Sequence, residues 1–185
     1  AKTLFPYTTL FRSIAVDGGG EWSLALKSDG TVVGWGDNSV GQLNIPTGLS
    51  GIKAISVAGG YALVLKNDGT VTGWGSNDNG QLNIPAGLTG VVSISASGPF
   101  GMALKSDGTL VQWGTNPYGS SPWANTPVPT DLSGITAISA GGVHALALYG
   151  SKLITKQPTD LSINQGQMAS FSIVSTGNSL SYQWQ

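Results

Sequence analysis

An all-β fold made of one small antiparallel unit repeated along the chain is what this sequence predicts, and three observations carry the prediction. Trp35, Trp74 and Trp113 stand 39 residues apart. The stretches K-S-D-G-T (27–31), K-N-D-G-T (66–70) and K-S-D-G-T (105–109) keep that step, and G-Q-L-N-I-P recurs at 41–46 and 80–85. No segment sustains the 3.6-residue apolar spacing of a helix. A period of this length marks a repeat architecture and decides the fold class before local propensity does.

The first residues break the pattern. Thr3 to Ser13 reads T-L-F-P-Y-T-T-L-F-R-S, without the basic start, apolar core and small-residue cleavage site of a secretory signal. It resembles the conceptual translation of a sequencing-library adaptor, so residues 1–13 are set aside as an artefactual leader. The repeats then run over 14–150, in units of about 14–52, 53–91, 92–135 and 136–150.

Within a unit the spacing predicts three short strands, at Ala54–Val57, Ala62–Lys66 and Thr70–Gly75 in the second. Gly30, Gly69 and Gly108, each after an Asp, supply the positive φ that a tight hairpin needs. Strand two is apolar at almost every position (Leu63, Val64, Leu65), which implies that both sheet faces are covered. Three strands cannot bury their own faces, so units must pack on one another. Period, Gly content and one Trp per unit point to a partial β-propeller of about three to four blades. Trp35, Trp74 and Trp113 are then structural wedges between blades, since an indole buries about 150–250 Å². After Trp113 the step from Gly90 to Gly134 is 44, which places an insertion within Thr115 to Ala124. Confined to one loop, it leaves the blade intact.

Composition narrows the function. Charged residues are 9% of the chain and the net charge is −1, so the clustered Lys and Arg of a nucleic-acid partner are missing. Cysteine is absent, which removes disulfides, thiol nucleophiles and thiolate metal sites. No apolar run approaches the roughly 20 residues that span a bilayer.

The segment I-S-A-G-G-V-H-A-L-A-L (138–148) carries a small-residue pair, Gly, a two-residue gap, His and an apolar strand. In this it resembles the regulator-of-chromosome-condensation repeat. Trp22, Tyr61 and Phe100 stand where His144 stands. The short period and the W-G-x-N…G-Q-x-x-I-P linker are similar to bacterial short-repeat versions, including secreted β-lactamase-inhibitory propellers. The resemblance covers about residues 14–149 and implies closed rings of seven blades, the last completed by a strand from the opposite terminus. Three blades and part of a fourth are present, and Y-G-S-K-L-I (149–154) replaces the K-x-D-G-T element. The expectation is an array that ends here, with earlier blades upstream.

From about Ile154 the composition shifts, and Phe171, Ile173, Leu180, Tyr182 and Trp184 alternate as in strands. Residues 151–185 resemble the start of a bacterial immunoglobulin-like sandwich, with Trp184 in the core Trp position. Three strands of about seven cannot close such a core.

Strand order gathers the exits of strands one and three on one rim. The candidate binding residues there are Trp22, Tyr61, Phe100 and His144, beside Asp37, Asn38, Asn77, Asp78, Asn79, Tyr118 and Trp123. Aromatics with amides make adaptable binding surfaces. The alternative is that the aromatics brace the loops and Asn and Asp form side-chain-to-backbone turns. Tyr118 and Trp123 sit in an insertion with no evident packing reason. His144 is the one histidine and fills an aromatic repeat position, so no catalytic residue, metal site or cofactor is assigned. Asn77-Asp78-Asn79-Gly80 lacks the alternating ligands and distal Glu of a calcium loop. The reading is a non-catalytic scaffold, extracellular or surface-displayed, with a protein or glycan ligand and no nucleic-acid partner or membrane insertion. A β-lactamase inhibitor is the alternative, followed by nucleotide exchange on a small GTPase and last by a hydrolase.

Overall fold

The computed structural model describes residues 13–115, 134–142, 144–150, 154–156 and 174–175. Residues 1–12 of the leader, most of the insertion and most of 151–185 lie outside the described residues, and with them Tyr118, Trp123, Phe171, Ile173, Leu180, Tyr182 and Trp184.

Three blades share one plan. The first is β1 (Ser13–Gly18), β2 (Trp22–Lys27) and β3 (Val32–Gly36). The second is β4 (Ile52–Ala58), β5 (Tyr61–Lys66) and β6 (Val71–Gly75), and the third is β7 (Val91–Ala96), β8 (Phe100–Lys105) and β9 (Leu110–Gly114). Each is an antiparallel meander in chain order, β1-β2-β3 and so on. A fourth sheet pairs β10 (Ile135–Ala140) with β11 (Ala145–Tyr149), and has two strands among the described residues. A separate ribbon pairs β12 (Ile154–Lys156) with β13 (Val174–Ser175). The all-β partial propeller expected from the repeats is thus the observed fold; first strands start earlier than the spacing predicts and third strands one residue later.

The D-G-T triplet is explained by its hairpin. Lys66 N–H donates to Thr70 O at 2.9 Å, and Gly69 N–H donates to Lys66 O at 3.0 Å. That is a type I turn followed by a left-handed residue, with φ of 79° at Gly69. Asp68 Oδ1 accepts from the Thr70 amide at 2.9 Å and from its hydroxyl at 2.6 Å, which fixes the residue after the glycine. A Cβ on Gly69 would also stand 3.3 Å from the amide nitrogen of Gly90, so the position is held small by the next blade as well as by φ.

Blades pack face to face through strand two. On β5, Ala62 and Val64 join Leu24 and Leu26 of the first blade, while Tyr61, Leu63 and Leu65 join Val91, Ala96 and Ala103 of the third. Both faces of this strand are therefore covered, which is why it does not alternate apolar with polar. Every first strand carries a bulge at its second residue, between Ser13/Ala15, Ile52/Ala54, Val91/Ser93 and Ile135/Ala137. The skipped residue in each is Ile14, Lys53, Val92 or Thr136, and Ile14, Lys53 and Val92 are exposed.

The first two linkers join the end of strand three to the first strand of the next blade. Leu43, Ile45 and Leu49 pack against the core between blades one and two, and Leu82, Ile84 and Leu88 repeat this one blade on. Room for the linker leucine comes from a glycine in strand three. A Cβ on Gly34 would stand 2.8 Å from Leu43 Cδ2, and one on Gly73 would stand 2.8 Å from Leu82 Cδ2. In the third blade the same column holds Gln112, and no G-Q-L linker follows it.

Candidate binding face

The ends of strands one and three meet on one face, as their order requires, and three sets of hydrogen bonds hold it. The first is a column on the first strands. Asp17 Oδ2 accepts from Val57 N–H at 2.8 Å, Ser56 Oγ from Ala96 N–H at 2.9 Å, and Ser95 Oγ from Ala140 N–H at 2.8 Å. Each side-chain oxygen satisfies an amide of the following blade.

The second set is made by the aromatic column. Trp22 Nε1 donates to Gly59 O at 2.7 Å, with Ala58 O at 3.3 Å. The Tyr61 hydroxyl lies 2.7 Å from Ser97 O and 2.6 Å from Phe100 O, and accepts from Ser97 N–H at 3.1 Å. Burial pushes its pKa up. Phe100 has no polar atom, and there the hydroxyl of Ser97 takes over, donating to the carbonyls of Gly141 and Gly142 in the fourth sheet. Trp22, Tyr61 and Phe100 are 2%, 0% and 5% exposed. Trp22 and Tyr61 are interblade clasps and the Phe100 side chain is buried, which corrects their expected place on an open rim. His144 lies over Gly141 as Trp22 lies over Gly19, and is exposed.

The third set braces the linkers. Asp37 Oδ2 accepts from Ser39 Oγ at 2.6 Å and from Gln42 Nε2 at 2.8 Å. The Ser39 hydroxyl is the main reason its carboxyl sits below the usual range. In the second linker the pair is reversed: Ser76 Oγ donates to Asp78 Oδ2 at 3.0 Å. Asn38 Oδ1 accepts from Leu43 N–H at 2.8 Å and its amide donates to Asn44; Asn77 does the same with Leu82 N–H and Asn83. Gln42 and Gln81 are buried, and their backbone carbonyls accept from Trp74 and Trp113 Nε1, each at 2.8 Å. Trp35 is half-buried, and the residue that would answer to Gln42 for it is Thr3, outside the described residues. Asn79 binds through its backbone, its carbonyl accepting from Thr115 N–H at 2.7 Å. The amides and carboxylates at 37, 38 and 77–79 are thus exposed or half-buried parts of a fixed framework.

Charge divides between the two faces. Asp17, Glu21, Asp37 and Asp78 lie toward the loop face, whereas Lys27, Lys53, Lys66 and Lys105 lie toward the hairpin face, with Asp29, Asp68 and Asp107. Among the described residues of the four blades, the loop face has no lysine or arginine. The hairpin lysines are partly paired, Lys27 with Asp29 at 3.6 Å and Lys105 with Asp107 at 2.9 Å.

Residues 12–42 and 52–81 match the Regulator of chromosome condensation (RCC1) repeat. The two RCC1 matches cover the first and second blades, including the clasps Trp22 and Tyr61. No curated protein is significantly similar to the chain in sequence. Among solved structures, Prp20p from Saccharomyces cerevisiae superposes with a TM-score of 0.58 at 19% identity, over 74% of this chain and 43% of that one. Human WBSCR16 gives 0.56 at 21% identity, over 75% and 45%. The ectodomain of the Physcomitrella patens receptor kinase CR4 gives 0.58 at 23% identity, over 74% and 38%. These likenesses establish the fold, and the chain spans less than half the length of each structure.

Sequence reasoning missed Ser97, Gln42, Gln81 and the Asp17/Ser56/Ser95 column. A signal for the last was available, because aligned at the repeat step all three carry a side-chain oxygen.

Proposed function

We propose that this chain is a non-catalytic scaffold whose loop face receives a protein ligand. The observation that carries the reading is a rigid framework of hydrogen-bonded loops whose formal charges, among the described residues, are all carboxylates. Such a surface is pre-organised, so a ligand meets little ordering cost. Its charge suits lysine, arginine or amide donors. A glycan ligand is the weaker form of the reading, because the aromatics offered for sugar stacking at 22, 61 and 100 are buried. An extracellular or surface-displayed setting is part of the proposal, and the receptor-kinase ectodomain of similar fold supports it.

The test uses the immobilised chain against a panel of purified proteins of differing charge, at low and high salt. Binding that weakens in Glu21→Gln with Asp78→Asn, and survives Lys53→Gln with Lys66→Gln, is the expected result. Binding that follows the lysines, or ignores both changes, would overturn the assignment to the loop face. Prp20p is described by its binding to Gsp1p and histones, so a small GTPase and a core histone belong in the panel. Release of labelled nucleotide from the GTPase separates exchange from simple binding. Slowed nitrocefin hydrolysis at micromolar chain would favour the inhibitor reading instead.

A further inference from the structure

A glycine follows an aspartate or asparagine at Asp17-Gly18, Asp29-Gly30, Asp68-Gly69, Asn79-Gly80 and Asp107-Gly108. Lacking a Cβ, the glycine leaves its main-chain nitrogen unshielded, so that nitrogen can close on the side-chain carbon of the residue before it. The reaction then depends on how good an electrophile that carbon is, and an ionised carboxylate is a poor one. In the hairpins the carboxylates accept hydrogen bonds, from Thr31 at Asp29, from Thr70 at Asp68 and from Lys105 and Thr109 at Asp107, which hold them below the usual range and ionised. Asp17 is fixed by Val57 N–H, and Gly18 donates its own hydrogen to Asp17 Oδ1. Asn79 has an amide instead, which stays neutral and carries ammonia as a leaving group. The side-chain amides of the other linker asparagines are paired, Asn38 with Asn44 and Asn77 with Asn83, each at 3.1 Å. Each of those four is also followed by a residue with a Cβ.

From this we infer that Asn79-Gly80 is a site of spontaneous covalent modification, at which Asn79 loses ammonia and becomes a mixture of aspartate and isoaspartate. The Gly80 nitrogen attacks Asn79 Cγ and gives up its proton, the Cγ–Nδ2 bond breaks, and ammonia leaves with that proton. Water then opens the cyclic imide. Attack at Cγ restores the main chain with a carboxylate in place of the amide, and attack at the main-chain carbon routes the chain through Cγ. The turn sets the pace, because Gly80 N–H donates to Asn77 O at 3.1 Å and must leave it before the nitrogen can attack. One turn among exposed residues opens more readily than a packed blade. In isoaspartate the Asn79 carbonyl oxygen, which accepts from Thr115 N–H at 2.7 Å and from its hydroxyl at 3.0 Å, becomes part of a free carboxylate. The chain also gains a methylene just ahead of Gln81, whose carbonyl holds the Trp113 indole. Both products add a negative charge beside Asp78 on the loop face. The reaction is independent of the function proposed for that face.

Incubation of the full chain in mildly alkaline buffer over days to weeks, with peptide maps read by mass spectrometry, tests this beside a synthetic peptide of residues 76–83. The expected result is a gain of one mass unit at Asn79 ahead of every other asparagine, with isoaspartate among the products and ammonia released in step. The gain is expected to be slower than in the peptide and to speed up in urea below the unfolding transition. Asn79→Gln, whose longer side chain does not close this ring, is expected to lose it. An Asn79 still intact when the peptide has fully reacted overturns the inference, as does earlier reaction at another asparagine. A mass gain of the same rate in Asn79→Gln overturns it too, and a rate in the native chain equal to the peptide's overturns the role given to the Gly80 hydrogen bond.

Discussion

Tyr61 and Ser97 are tied twice through one oxygen: the Tyr61 hydroxyl sits 2.7 Å from the Ser97 carbonyl and accepts from the Ser97 amide at 3.1 Å. The pair joins the second blade to the third, and the Ser97 hydroxyl carries the tie on to Gly141 and Gly142. Removing the phenol takes its donor from the buried carbonyls of Ser97 and Phe100, while the Ser97 amide keeps its bond to the Phe100 carbonyl at 3.0 Å, so the loss is that of an ordinary hydrogen bond, about 0.5–1.5 kcal/mol. Tyr61→Phe is expected to lower the urea midpoint accordingly, and Ser97→Ala to lower it by a similar amount. Because burial raises the Tyr61 pKa, its contribution is complete below the unfolded value of 10 and declines as pH rises above it. The stability difference between wild type and Tyr61→Phe is therefore expected to shrink in alkali.

Substitution in the strand-three glycine column should depend on the linker opposite. In Gly73→Ala the new methyl would stand 2.5 Å from Ala62 O and 2.8 Å from Leu82 Cδ2. Overpacking of this kind costs about 1–3 kcal/mol. Gln112→Ala, at the same column in the third blade, is exposed and expected to change stability by less than about 0.5 kcal/mol. Thermal melts of the two variants compare them directly.

Asp107 has its pKa lowered to about 2, first by the hydrogen bond from Lys105 and then by those from Thr109. A depressed carboxylate contributes stability above the unfolded value of 3.8, and that stability is lost as pH falls toward 2. The third hairpin is expected to loosen over this window, seen as exchange broadening of the Thr109 amide. In Asp107→Asn the same resonance should lose most of its dependence on pH there.

Interior and exposed apolar residues separate on truncation. Leu65→Ala empties a fully buried site between blades two and three, at a cost of about 2–5 kcal/mol. Ile14→Ala, at the exposed bulge, is expected to fall within about 0.5 kcal/mol of wild type. Equal losses from both would contradict the packing described.

Much of this architecture is legible in the sequence because a repeat states each requirement several times. The Asp-Gly column marks the hairpins, and the unbroken run at Leu63, Val64 and Leu65 marks a strand covered on both sides. The candidate site was less legible. An aromatic at the start of strand two, beside a glycine-rich turn, suits a rim or a clasp equally well by composition. Parity could have separated them, since Trp22, Leu24 and Leu26 alternate onto one side of β2 and all three are buried. The Ser97 bond to the fourth sheet had no such signal, because it compensates for a phenylalanine three residues away that itself breaks no pattern.

The reversal of Asp37 and Ser39 into Ser76 and Asp78 shows what is kept when such units diverge. The bond persists while donor and acceptor trade places, so the two positions must change together or pass through a form with two hydroxyls or two carboxylates. Two carboxylates would repel, and two hydroxyls would still bond. A pair with serine at both sites would keep a bond throughout such an exchange, so paired changes can vary the loops without loosening the blades that carry them.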